Sequence, residues 1–237
     1  MTATFPTHRG SSLIAEETIR RAFEKMLISN QIGWDMDHPE VEKYFQHLLD
    51  RRRIHHTIVR TATLLEVFDD VYGLCDIAIG GMMQNPDQIR AALLFESAGF
   101  APDEDRLATS TRYITKFCHE RDVVQVRNLV HGAINPLQGG IHARDDDKKV
   151  IANIMLSLVG LPWSDFFELQ DQLAAEYQAM WTNPKISFRD LSTAWLDNLL
   201  SKERRSGEIY SIRYFQQRFG EKASHNIHTM YDRLTSS

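Results

Sequence analysis

Ten histidines are the main supply of side chains that could hold a cation or move a proton in this sequence, and their spacing decides which matter. His225 and His228 stand three apart in a stretch with helical periodicity, so both rings could share a face and grip one cation. Asp232 is an acid close by, and a solvated helix face is the simpler reading. His142 precedes Asp145, Asp146 and Asp147, which gathers an imidazole and hard oxygen ligands as a divalent-ion loop would. Three acids ahead of a helix are also a routine N-terminal cap, because free amides and the helix dipole attract carboxylates. Arg51-Arg52-Arg53 before His55-His56 is the one dense basic spot. It could meet a phosphate through planar paired donors, or form a wet helix end near Asp50 and Glu66. Glu96, in Phe95-Glu96-Ser97-Ala98, falls on the same helical face as Leu93 and Ile89 and so points inward. An unpaired buried charge costs several kcal/mol, roughly, so it needs a partner: an arginine, solvent at the helix end, or a polar pocket.

The elements that must position these groups read as helices almost throughout. Leu13, Ile14, Ala22, Phe23, Met26 and Leu27 draw an apolar stripe over 12–29. Pro39 opens a second helix, since its missing N–H would be unpaired in a first turn. A third spans about 55–72. Asn85-Pro86-Asp87 is a helix start, with the asparagine as cap, and that helix stops near Gly99. Helical spacing recurs over 103–118, 122–134, 145–159, 163–181, 188–200 and 220–234. Gly139-Gly140 and Gly160-Leu161-Pro162 punctuate these segments. No segment alternates apolar and polar residues for long, and no Asn-Gly or Asp-Gly hairpin occurs. The expected fold is all-α, with about nine or ten helices in one domain over 11–237, after a loose tail at 1–10.

Hydrophobic residues make up 43% and charged residues 25% of 237 positions, which excludes disorder and a fibrous architecture for the whole. The net charge of −5 gives no broad basic field for nucleic acid or an anionic membrane. The longest apolar stretch falls well short of the ~18 residues a span needs. Two cysteines, Cys75 and Cys118, cannot build a disulfide framework. The expectation is a cytoplasmic protein without nucleic-acid or membrane partners. No phosphate-cradling Gly-rich loop, nucleophile elbow, Cys-x-x-Cys or His-Glu-x-x-His helix is present.

The order of segments over roughly 40–235 resembles a family of small, predicted metal-dependent phosphohydrolases of the HD superfamily. That family opens a helix with Tyr-His-x-x-x-His, where this chain has His55-His56-Thr57-Ile58-Val59-Arg60. Its Phe-His-Asp-x-x-Tyr corresponds to Phe95-Glu96-Ser97-Ala98-Gly99-Phe100. Its threonine-lysine-histidine stretch corresponds to 126–135, ending at Asn135. Its Asp-x-Asp-Leu-x-x-Leu-Gly corresponds to Asn153-Ile154-Met155-Leu156-Ser157-Leu158-Val159-Gly160, and a long helix then ends in Glu176-Tyr177. The resemblance implies an HD-like helical bundle and a cation held by histidines and aspartates, which would polarise phosphate and acidify water. Only His56 retains a ligand type. Arg60 brings a permanent cation, Glu96-Ser97 replaces His-Asp, and Asn153 and Met155 replace the aspartates. An amide and a thioether cannot replace anionic oxygens in a hard-metal site.

The resemblance therefore implies a remnant cleft of His56, Arg60, Glu96, Ser97, Asn135 and Asn153, in which Arg60 and Glu96 form an internal ion pair where the cation sat. The favoured reading is a catalytically degenerate HD-like protein that binds a small anionic ligand or a protein partner, with no cofactor expected. The alternative is a working phosphohydrolase whose divalent metal sits on His55, His56, Glu96 and His131, or at the His142/Asp145 loop. A third reading makes the aromatic-rich C-terminal half, including Trp163, Phe166, Tyr177, Trp181, Trp195, Tyr210 and Phe215, a contact surface.

Overall fold

The computed structural model describes residues 12–50, 53–74, 82–99, 106–137, 144–180 and 186–236. Among them are ten α-helices and no strand. In chain order they are α1 (Ser12–Ser29), α2 (Pro39–Leu48), α3 (Ile58–Gly73), α4 (Pro86–Phe95), α5 (Arg106–Phe117), α6 (Glu120–Ile134), α7 (Asp146–Leu156), α8 (Trp163–Met180), α9 (Phe188–Ser206) and α10 (Arg213–Thr235). A 3-10 turn, Ser157–Gly160, follows α7. The fold class is all-α. No single helix among the described residues is long and apolar enough to cross a membrane.

Helix α4 is the hub. Every residue from Ile89 to Phe95 on it is buried, as expected of a helix enclosed on all sides. Helices α1, α3, α5, α6 and α7 surround it. On one flank Phe23, Tyr44, Phe95 and Phe117 pack edge-to-face and offset, geometries that favour aromatic pairs beyond their buried area. The 3-10 turn anchors the C-terminal helices. Gly160 lies so close to α10 that an added Cβ would stand 2.6 Å from Phe219 Cβ, so only glycine permits this approach.

Local chemistry departs from expectation at several helix ends. Asn85 does not cap α4 through its side chain; its Nδ2 donates to Asp147 Oδ2 at 2.8 Å. Asp147 also accepts the Gln84 N–H at 2.8 Å, so it ties the start of α4 to the start of α7. Of the acidic run, Asp145 alone caps α7, accepting the Lys148 N–H at 3.1 Å, while Asp146 pairs with Lys149. Helix α10 begins at Arg213, well before the expected 220, with Gly220 inside it. Gln216 folds back over that glycine and accepts the N–H groups of Ile209 and Tyr210 at 3.0 and 3.1 Å. The C-terminal aromatics are no contact surface at three of the expected positions, because Phe166, Tyr210 and Phe215 are buried in the core. Trp181, Cys75 and the tail at 1–10 lie outside the described residues.

Candidate functional site

The loop before α3 carries three consecutive backbone N–H groups, from Ile54, His55 and His56, all aimed at one carboxylate oxygen. Glu176 Oε2, on α8, accepts them at 2.9, 2.8 and 3.1 Å. Successive amides that converge in this way make an anion seat. The other oxygen, Oε1, accepts from His56 Nδ1. On the far side of the ring, Arg106 Nη2 donates to His56 Nε2 at 2.9 Å. These partners make His56 the Nδ1–H tautomer, neutral and saturated. Burial, then the Arg106 and Arg60 guanidiniums, hold its pKa well below the usual histidine value. His55 is held low too, by burial first and then by Arg60 and His56, and its Nδ1 lies 3.1 Å from the Leu169 carbonyl.

Thr57 caps α3 by accepting the Arg60 N–H at 3.3 Å, which sets Arg60 in the first turn, facing inward. Its Nη1 donates to Glu96 Oε1 and to Ser97 Oγ at 3.0 Å. Ser97 Oγ donates to the same Glu96 oxygen. Glu96 follows directly on α4 and is wholly buried. Burial alone would raise its pKa, but the charges of Arg60 and Arg106, the latter with Nη2 at 3.9 Å from Oε2, leave it below the usual carboxylate range. Arg53 stands behind this group. Its guanidinium donates to the carbonyls of His47, His56, Ser97 and Ala98, so it is buried rather than a wet face. Arg51 and Arg52 lie outside the described residues.

His55, His56, Arg60, Glu96 and Arg106 line a cavity of about 400 Å³ whose remaining wall is mostly apolar, with Met155, Leu158, Phe166, Leu173 and Trp195. That volume lies within the ~300–1,000 Å³ range of small-molecule sites. The structure thus brings together His56, Arg60, Glu96 and Ser97. It does not add Asn153 or Asn135 to the cavity wall. Asn153 is buried between chain segments: Nδ2 donates to Lys149 O and Ser211 Oγ at 2.7 and 2.8 Å, and Oδ1 accepts the Ser211 N–H at 3.0 Å. Its amide is fully used in holding the approach to α10. Asn135 closes the end of α6 with Nδ2 3.5 Å from His131 O.

The alternative metal set is not assembled. His131 is exposed on α6, both ring nitrogens of His56 have partners, and Glu96 already neutralises Arg60. Among the described residues no three His, Cys, Asp or Glu side chains group as cation ligands. The donor set, crossed by two guanidiniums, does not fit a divalent ion. His142 lies outside the described residues. His225 and His228 do not share a cation either, since His228 Nε2 is 3.0 Å from Glu203 Oε2 and His225 packs edge-on to Trp163.

Sequence reasoning missed Glu176 as a site residue, and also Arg106. For Glu176 the signal was the Glu-Tyr pair ending the long helix; an acid on an otherwise apolar face needs a partner. For Arg106 no motif marked it. No protein-family model, curated protein or solved structure matches this chain.

Proposed function

We propose that this chain is a catalytically silent, HD-like binding module that takes a small anionic ligand with an apolar body into the cavity. The observation that carries the reading is the excess of one positive charge in a mostly apolar chamber. Among the described residues, Arg60 and Arg106 face a single acid, Glu96, there. Behind them Arg53 and Glu176 offset one another in sign. A monoanion would neutralise the chamber while its apolar part covers the Phe166, Leu173 and Trp195 wall. Arg106 is the head-group anchor: its side chain is 35% exposed, whereas Arg60 is committed to Glu96 and Ser97. At roughly 30 Å³ per non-hydrogen atom, a cavity of this size takes on the order of a dozen atoms.

Displacement of 8-anilinonaphthalene-1-sulfonate by decanoate and by decanol tests the proposal. Decanoate is expected to bind about ten-fold more tightly than decanol, and Arg106→Gln to abolish that preference. Equal binding of the acid and the alcohol to the unaltered protein would overturn the proposal.

A further inference from the structure

The polar end of the cavity holds two buried atoms whose hydrogen-bonding capacity is unused among the described residues, Glu96 Oε2 and Arg60 Nε. A buried polar atom without a partner costs roughly 1–3 kcal/mol, more when charged, so each such atom asks for an explanation. Glu96 is the sharper case. Oε1 takes two donors, Arg60 Nη1 and Ser97 Oγ, while Oε2 takes none. Arg106 Nη2 is 3.9 Å from Oε2, beyond hydrogen-bond reach, and the same nitrogen donates to His56 Nε2 at 2.9 Å. The anchor for an anion and an unused acceptor therefore lie side by side.

We infer that the ligand is an apolar acid with an N–H or O–H donor on the carbon next to its carboxylate: an N-acyl amino acid, an amino acid or a 2-hydroxy acid. This rests on the anion-binding reading above and deepens it. The spacing sets the constraint. A guanidinium nitrogen and a carboxylate oxygen 3.9 Å apart suit a head group that presents an acceptor to the one and a donor to the other. A plain carboxylate would satisfy Arg106 yet place its own charge against Glu96 Oε2. A neighbouring N–H or O–H turns that repulsion into a charge-assisted hydrogen bond. The acyl chain or side chain then lies along the apolar wall.

Two ligand pairs test this on the intact chain, by displacement of the same fluorescent sulfonate. N-octanoylglycine is expected to bind about ten-fold more tightly than its N-methyl analogue, and 2-hydroxydecanoate to exceed decanoate by a similar factor. Glu96→Gln should bring both ratios to within about two-fold. Arg60 and Ser97 both donate toward Oε1, so the amide oxygen must sit there and the NH₂ must replace Oε2, which turns the acceptor into a donor. Should that variant fail to fold, the two ligand pairs on the unaltered protein still decide. If the donor-free partner of each pair binds equally well, the inference is overturned, while anion binding at Arg106 still stands on the decanoate–decanol comparison. Binding of 2-aminodecanoate relative to N-octanoylglycine then tells a free amino acid from an acylated one.

Discussion

Two buried arginines, seven positions apart in sequence, meet opposite fates. Arg53 donates to four backbone carbonyls and accepts the role of a joint between the loop at 53–57 and the turn after α4. Arg60 meets a carboxylate and a hydroxyl and, among the described residues, leaves its Nε without a partner beside a Glu96 oxygen in the same condition. Both sit within a few ångströms of the Ser97 segment. The difference teaches where architecture ends and a site begins: a saturated buried cation holds the chain, while an incompletely satisfied pair facing a cavity reserves capacity for something else.

The comparison breaks most visibly at Glu96. Glu96→Ala strands the Arg60 charge in the interior and is expected to cost about 3–5 kcal/mol in urea unfolding, whereas Arg60→Leu with Glu96→Leu together should come close to neutral. A single-variant loss under about 1 kcal/mol would mean that the pair is not desolvated. Arg53→Met is expected to cost about 2–3 kcal/mol, from stranded carbonyls, while leaving the affinity for decanoate unchanged. Loss of binding in that variant would erase the distinction between joint and site.

Acid should weaken the cluster in two stages. His55 and His56 have folded pKa values below their ordinary 6.5, so below pH 6.5 the unfolded chain takes up protons that the folded chain refuses. Stability then falls as pH drops, by up to about 1.4 kcal/mol per pH unit for each ring. Glu96, also depressed, stabilises the fold above its ordinary 4.5, and that contribution is lost as pH falls from there through its folded value. Urea midpoints at pH 7.5, 6 and 5 read the histidine stage, and a flat profile would show that the rings are not buried neutral. The smallest effect is expected at Asp145→Ala, about 1 kcal/mol for a lost helix cap, with no change in ligand affinity. It gives the baseline for an ordinary saturated hydrogen bond away from both arginines.

Much of the fold was legible because local signals agreed with burial. Pro39 and Pro86 fall where helices begin, and the apolar stripe of 12–29 became α1. The inward direction of Glu96 followed from its register with Leu93 and Ile89. What sequence could not supply was the partner of a polar group across the chain. Asn85 looks like a cap in isolation but bonds to Asp147, sixty-two positions on. Asn153 looks like a ligand position but spends its amide on Ser211. Arg106 meets His56 only because α5 brings its first turn beside the loop before α3. Periodicity reports which face turns inward. It carries no information about which distant residue waits there.

The loop at 54–56 has a consequence in hydrogen exchange. Its three amide hydrogens end on a carboxylate about 120 positions later in the chain, so none of them is protected by its own neighbourhood. They can trade with deuterium only when α8 lifts away, and all three should then do so together, at one rate. Three adjacent hydrogens in a short loop thus keep time for the docking of a helix from the other half of the protein.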